Sequence, residues 1–154
     1  MGFPEVEQFA ASVRDYCLYI ETAHSQPLPD RLRAFAYLVA DLYAGAWRLP
    51  ITDPPLTVPE ERESPYWIGF EDFTLYWEVP DPHDWGAPTT GSLTDDLLAI
   101  YHDLRDGLVL YEEDIPEAVG QWRSTFSGRW GDRAVDALRA LHRAIGRLEK
   151  EEPE

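Results

Sequence analysis

Apolar side chains recur every three or four residues along most of the chain, the period of an amphipathic helix and not of a strand. Val6, Phe9, Ala10, Val13, Tyr16, Cys17 and Ile20 form one such stripe and predict a helix from about Pro4 to Ala23. Pro29 suits a first helical turn, where an amide hydrogen has no intrahelical partner to lose. Leu32, Phe35, Ala36, Val39, Leu42, Tyr43 and Ala46 then continue as a second stripe. The short link from Ser25 to Leu28 makes the pair an antiparallel helical hairpin.

The regular pattern stops after Leu49. Pro50, Pro54 and Pro55 interrupt any ladder of backbone hydrogen bonds and predict an irregular crossing inside one domain. From Tyr66 to Val79 two periods compete. Tyr66, Phe70, Phe73 and Trp77 fit a helix, whereas Phe73, Leu75, Trp77 and Val79 alternate as in a strand, so a helix with an extended end is expected. Pro80 to Gly91 is rich in proline, glycine and aspartate and reads as a long loop.

Ser92 stands in front of Leu93-Thr94-Asp95-Asp96, a capping hydroxyl followed by acids in the first turn, where the helix dipole favours them. The helix it starts carries Leu93, Leu97, Ile100, Tyr101, Leu104, Leu108 and Tyr111 in one stripe, as a core helix does. Asp114 and Pro116 mark the next start, with Ile115, Ala118, Val119, Trp122 and Phe126 aligned behind them, and Gly128 and Gly131 separate or bend it from the last helix. On that last helix Val135, Leu138, Leu141 and Ile145 make an apolar arc opposite Asp132, Asp136, Arg139 and Arg143. The whole predicts one all-α domain spanning 1–154, a bundle of five or six helices with a long irregular loop and a frayed tail over 148–154.

Composition narrows the function more than the fold. A chain of 154 residues with 44% hydrophobic and 13% aromatic content folds around one core, so its net charge of -16 is spread over a folded surface. That charge repels phosphate backbones and disfavours nucleic acid as a partner, while a basic protein or a cation is easier to accommodate. Cys17 is the single cysteine and falls on the apolar face of the first helix, which points to a structural thiol. No signal-peptide pattern and no long apolar run is present, so a cytoplasmic location is expected.

Several short stretches carry a resemblance. Tyr16-Cys17, Tyr76-Trp77-Glu78-Val79 with Asp81-Pro82, Gly91-Ser92-Leu93-Thr94-Asp95-Asp96-Leu97 with Ile100-Tyr101 and Asp103-Leu104, Trp122-Arg123, and the closing run from Trp130 to His142 are similar to an uncharacterised bacterial family, domain of unknown function 5063. The resemblance extends from about Phe9 to Leu148, with Pro80, His83 and Trp85 as local departures. It implies no activity, cofactor or partner, and so transfers no functional residue.

Candidate chemistry is therefore read from spacing. Asp132 and Asp136, one turn apart, put two carboxylates on one helix face, where a divalent cation would fit if a neighbouring element covered them; an exposed charge network with Arg139 and Arg143 is the simpler reading. Asp96 and Asp103 lie on one line beside the apolar stripe of their helix, at a boundary where a cleft can open, with Asp95 and His102 pointing further outward. His142 stands at the edge of the last apolar arc and needs a carboxylate in reach to act as a base. Asp81, His83 and Asp84 are turn formers that double as metal-type donors, and Trp85 among them either folds over the core or is exposed for recognition. No nucleophile elbow, phosphate loop or dinucleotide fingerprint occurs.

These residues lead first to a non-enzymatic interaction module with an acidic surface, binding a protein partner or a second copy of itself, with no cofactor. The alternatives are a metal-dependent hydrolase built on Asp96, Asp103, Asp132, Asp136 and His142, and an immunity or antitoxin-like protein whose acidity masks a basic partner. Neither nucleic acid nor membrane is expected as a partner.

Overall fold

The first two stripes become α1 (Pro4–Thr22) and α2 (Leu28–Trp47), joined by a 3-10 turn at Ala23–Ser25, in a computed structural model that describes residues 3–55, 57–60 and 62–151. Phe9 faces Gly45, Ser12 donates to Asp41, and Tyr19 packs edge-on against Phe35. These pairs run in opposite order along the two helices, which are therefore antiparallel as expected.

The competition between periods in the aromatic segment is won by the strand. The expected helix from Tyr66 is reduced to a single 3-10 turn at Glu71–Phe73, followed by β1 (Leu75–Glu78). Glu71 takes a left-handed conformation, with φ of 52°, which no continuing right-handed helix allows. Phe70 donates its amide hydrogen to the Thr74 hydroxyl and closes the turn locally. The expected long loop is also shorter than its composition suggests. Its far end forms β2 (Thr89–Ser92), antiparallel to β1 with Leu75 opposite Ser92 and Glu78 opposite Thr89. The fold is predominantly helical, with this two-stranded hairpin added to it.

α3 (Leu93–Tyr111) starts at Ser92, whose hydroxyl accepts from the Asp95 amide at 3.2 Å. It packs against α1, α4 (Ile115–Thr125) and α5 (Gly131–Glu151), so most of its circumference is enclosed. Asp114 caps α4 by accepting from the Glu117 amide. No loop separates α4 from α5. A π-helical segment, Phe126–Trp130, carries the helix on without a break, where Gly128 and Gly131 predicted a separation or a bend. Gly131 is required there, because a Cβ would sit 2.3 Å from the Phe126 carbonyl oxygen. The segment places Trp122, Phe126 and Trp130 together in the core, with the Trp122 indole donating to the Leu104 carbonyl and the Trp130 indole to the Trp122 carbonyl.

α5 buries Leu141 fully and Leu138 and Ile145 in part, but not the whole arc expected of it. Gly131, Ala134, Ala137, Leu141 and Ala144 face the core, while Val135 is exposed. Small side chains on this line let α5 lie close against α2, and that contact outweighs the burial of one valine. The helix continues through Leu148 to Glu151, and 152–154 of the expected frayed tail lie outside the described residues.

Candidate functional site

Alternation along β1 sorts its side chains into two sets. Tyr76 and Glu78 turn inward towards α3 and α5, and Leu75 and Trp77 turn outward. The inward pair meets a junction of charged groups. The Tyr76 hydroxyl donates to one oxygen of Asp96, and Arg133 on α5 donates to the other at 3.1 Å. Asp96 is only 4% exposed, so a strand, a central helix and a terminal helix are tied through one buried carboxylate.

Asp136, three residues after Arg133 on α5, is half-buried and within electrostatic reach of the Glu78 carboxylate. Burial, aided by the Glu78 charge, raises the Asp96 carboxyl to about 6 against the relief given by Tyr76 and Arg133. Burial also raises Asp136 to about 6, with Glu78 and Asp96 adding to the shift. Two acids that hold protons this late border a cavity of about 460 Å³, together with Arg133, Ser92 and Thr90.

A second ion pair lies further along the same helices. Arg129 in the π segment donates through two nitrogens to Asp103, which is 2% exposed, and through a third to the Pro59 carbonyl at 2.8 Å. This clamps the proline-rich crossing against α3. Between the two pairs sits His102, expected to point outward but buried, with an Nε2 that makes no hydrogen bond. Burial, and then the Arg62 charge, lowers its affinity for a proton. It lines a cavity of about 600 Å³ with Thr94, Tyr66 and Trp67.

The structure thus brings together Asp96 and Asp136 from the expected set, and leaves the rest apart. Asp103 is paired with Arg129, Asp132 is exposed, and His142 is exposed on a stretch of α5 beside Arg143 and Gly146. Among the described residues, no group of three or more histidines, cysteines, aspartates or glutamates is arranged to hold a metal ion. Spacing alone did not single out Tyr76, Glu78, Arg129 and Arg133. The available signal was complementarity: two arginines four apart after Phe126 match two aspartates seven apart after Ser92.

The hairpin presents the opposite character. Every residue from Val79 to Thr90 is exposed, and Asp81 accepts from the His83 amide in a turn. Asp84 and Trp85 follow, and Trp85 is fully exposed, so it folds over nothing. Leu75, Trp77 at 77% exposure and Val79 carry the apolar surface from the strand towards this tip.

The family model described as domain of unknown function (DUF5063) matches residues 3–145 of the chain. No curated protein matches it. The crystal structure of protein BF1032 from Bacteroides fragilis, a structural genomics target, is similar in fold, with a TM-score of 0.66 at 20% identity over 90% of each chain. No helix of the described residues is long and apolar enough to cross a membrane.

Proposed function

The chain belongs to the DUF5063 family, and from its own surface we propose that it is a protein-interaction module whose β1–β2 hairpin recognises the partner. The observation that carries this reading is the contrast across β1. Of its inner side chains Tyr76 is held by Asp96 and Glu78 faces Asp136, while Leu75, Trp77, Val79 and Trp85 are exposed to solvent. Exposed tryptophans cost solubility, and they supply the large rigid anchors on which binding energy concentrates. An anchored hairpin also has less freedom to lose when a partner orders it. The net charge of -16 keeps the rest of the surface soluble and favours a partner that tolerates it.

A second reading rests on Asp96 and Asp136, both near 6 beside a cavity. Such a pair suits general acid–base work on a small substrate, without the metal set that a metallohydrolase needs.

Affinity capture from the native host tests the first reading. A stoichiometric partner should be retained by the wild-type chain and lost with Trp85→Ala, while Asp136→Asn leaves it in place. Retention of no partner, or retention indifferent to Trp85, overturns the interaction reading.

A further inference from the structure

The groove beside the hairpin has a form that narrows the kind of partner. Leu75, Tyr76 and Trp77 line it together with Ala140, Arg143, Ala144 and Arg147 of α5, around a volume of about 220 Å³. Three consecutive strand residues cannot share one face, since alternate side chains point opposite ways; they line the groove along the strand's edge. That edge pairs with no strand among the described residues, because β1 has β2 on one side only. The α5 residues follow at intervals of three and four and so form one helical line facing the edge.

The groove therefore has a row of strand amides and carbonyls on one wall and a line of alanines and arginines on the other. Ala140 and Ala144 leave room for a backbone to approach, and Arg143 and Arg147 border the same space. Against the chain's net charge of -16, this is a local concentration of positive charge, with Asp72 the groove's one acid. At physiological salt, charges act over about 8 Å, so the groove's own arginines govern what enters it. Trp77 adds an apolar platform beside them. A second copy of the chain fits poorly, because its own β1 is flanked by an α5 that would have to enter the same space.

We propose that this groove binds an extended acidic peptide segment of a partner protein by strand addition to the open edge of β1, with its carboxylates on Arg143 and Arg147. The proposal rests on the hairpin being the recognition element and specifies its ligand. Main-chain hydrogen bonds to β1 supply affinity that is independent of sequence, and the arginines and Trp77 select acidic and apolar side chains at alternate positions.

A fluorescently labelled octapeptide of alternating glutamate and valine, with a lysine–valine octapeptide as control, tests this by anisotropy and amide hydrogen exchange. The acidic peptide should bind about tenfold or more tightly than the basic one. Its binding should slow exchange within residues 75–77. The double variant Arg143→Glu with Arg147→Glu, both exposed positions, should reverse the preference with its thermal unfolding unchanged. Equal binding of both peptides, no binding, or binding without protection of β1 overturns the proposal. So does a concentration-dependent dimer that the acidic peptide dissolves, which makes a second copy the occupant. A host partner lost with Trp85→Ala but kept by the double arginine variant leaves the hairpin reading standing and removes the groove.

Discussion

Tyr76 and Asp96, twenty residues apart, are joined by a hydrogen bond that fastens the inner side of a surface hairpin to the first turn of the central helix. Arg133 completes the arrangement from α5, so the position of β1 depends on residues spread over more than a third of the chain.

Replacing Tyr76 with phenylalanine removes the bond and keeps most of the packing. A hydrogen bond to a charged group contributes about 1.5–3 kcal/mol, and a loss in this range is expected in urea unfolding. Amide exchange in β1 should accelerate more than exchange in α3. Uniform acceleration across the domain would contradict the assigned role of Tyr76 as the hairpin's tether.

The acids of the junction give the protein a pH dependence of unusual sign. Asp96 and Asp136 both bind protons more tightly in the fold, near 6, than in the unfolded chain, near 3.8. The native state then holds more protons in that interval. Their contribution is fully present below about pH 4 and is lost as pH rises through about 6. Asp136→Asn removes one carboxylate from beside Glu78 and should raise the midpoint of thermal unfolding at pH 8 by a few degrees, while flattening the pH profile. An unchanged midpoint at pH 8 would count against a strained acid pair.

Arg129 is expected to matter more than its partly exposed position suggests. Its loss in Arg129→Ala takes a bidentate guanidinium from a carboxylate that is 2% exposed, and removing one partner of a buried pair costs about 3–5 kcal/mol. Urea unfolding measures the loss, and limited proteolysis should show earlier cleavage near Pro59, whose carbonyl Arg129 also holds.

Two glycines should respond oppositely to alanine. At Gly107 a Cβ would meet the buried Trp122 indole nitrogen at 2.1 Å, so Gly107→Ala must displace a core ring and is expected to cost about 1–3 kcal/mol. Gly146 lies inside α5 with nothing within 4 Å of an added Cβ. There alanine should stabilise by about 0.5–1 kcal/mol through reduced backbone freedom in the unfolded chain. Calorimetry of the two single variants distinguishes them directly.

The helices were legible because their caps and stripes agree: Ser92 and Asp114 begin α3 and α4 where their side chains predicted. β1 was half legible. Its alternation was visible, but its partner β2 is built from Thr89, Thr90, Gly91 and Ser92, a run with no large apolar residue to mark a strand. The inward turn of α5 was hidden for a related reason. A wheel weights large side chains, and the buried line is mostly alanine and glycine, selected by close helix packing that only the third dimension sets. Asp96 and Asp103 were legible as boundary residues and not as buried ones. What makes their burial tolerable is Arg133 and Arg129, which lie across a helix reversal that spacing alone does not reveal.

Beyond that reversal, α4 runs into the π-helical segment from Phe126 to Trp130, which works as a rotational gearing between two helices that share one backbone. An extra residue in the turn sets the angular phase of α5, and about 100° of phase per residue decides which side chains meet α3. With this setting Arg129 and Arg133 arrive opposite Asp103 and Asp96, and Asp136 arrives opposite Glu78. The orientation of the outer hairpin, and of the arginines beside its open edge, is thereby dialled in by a wide turn at the far end of the bundle's last helix.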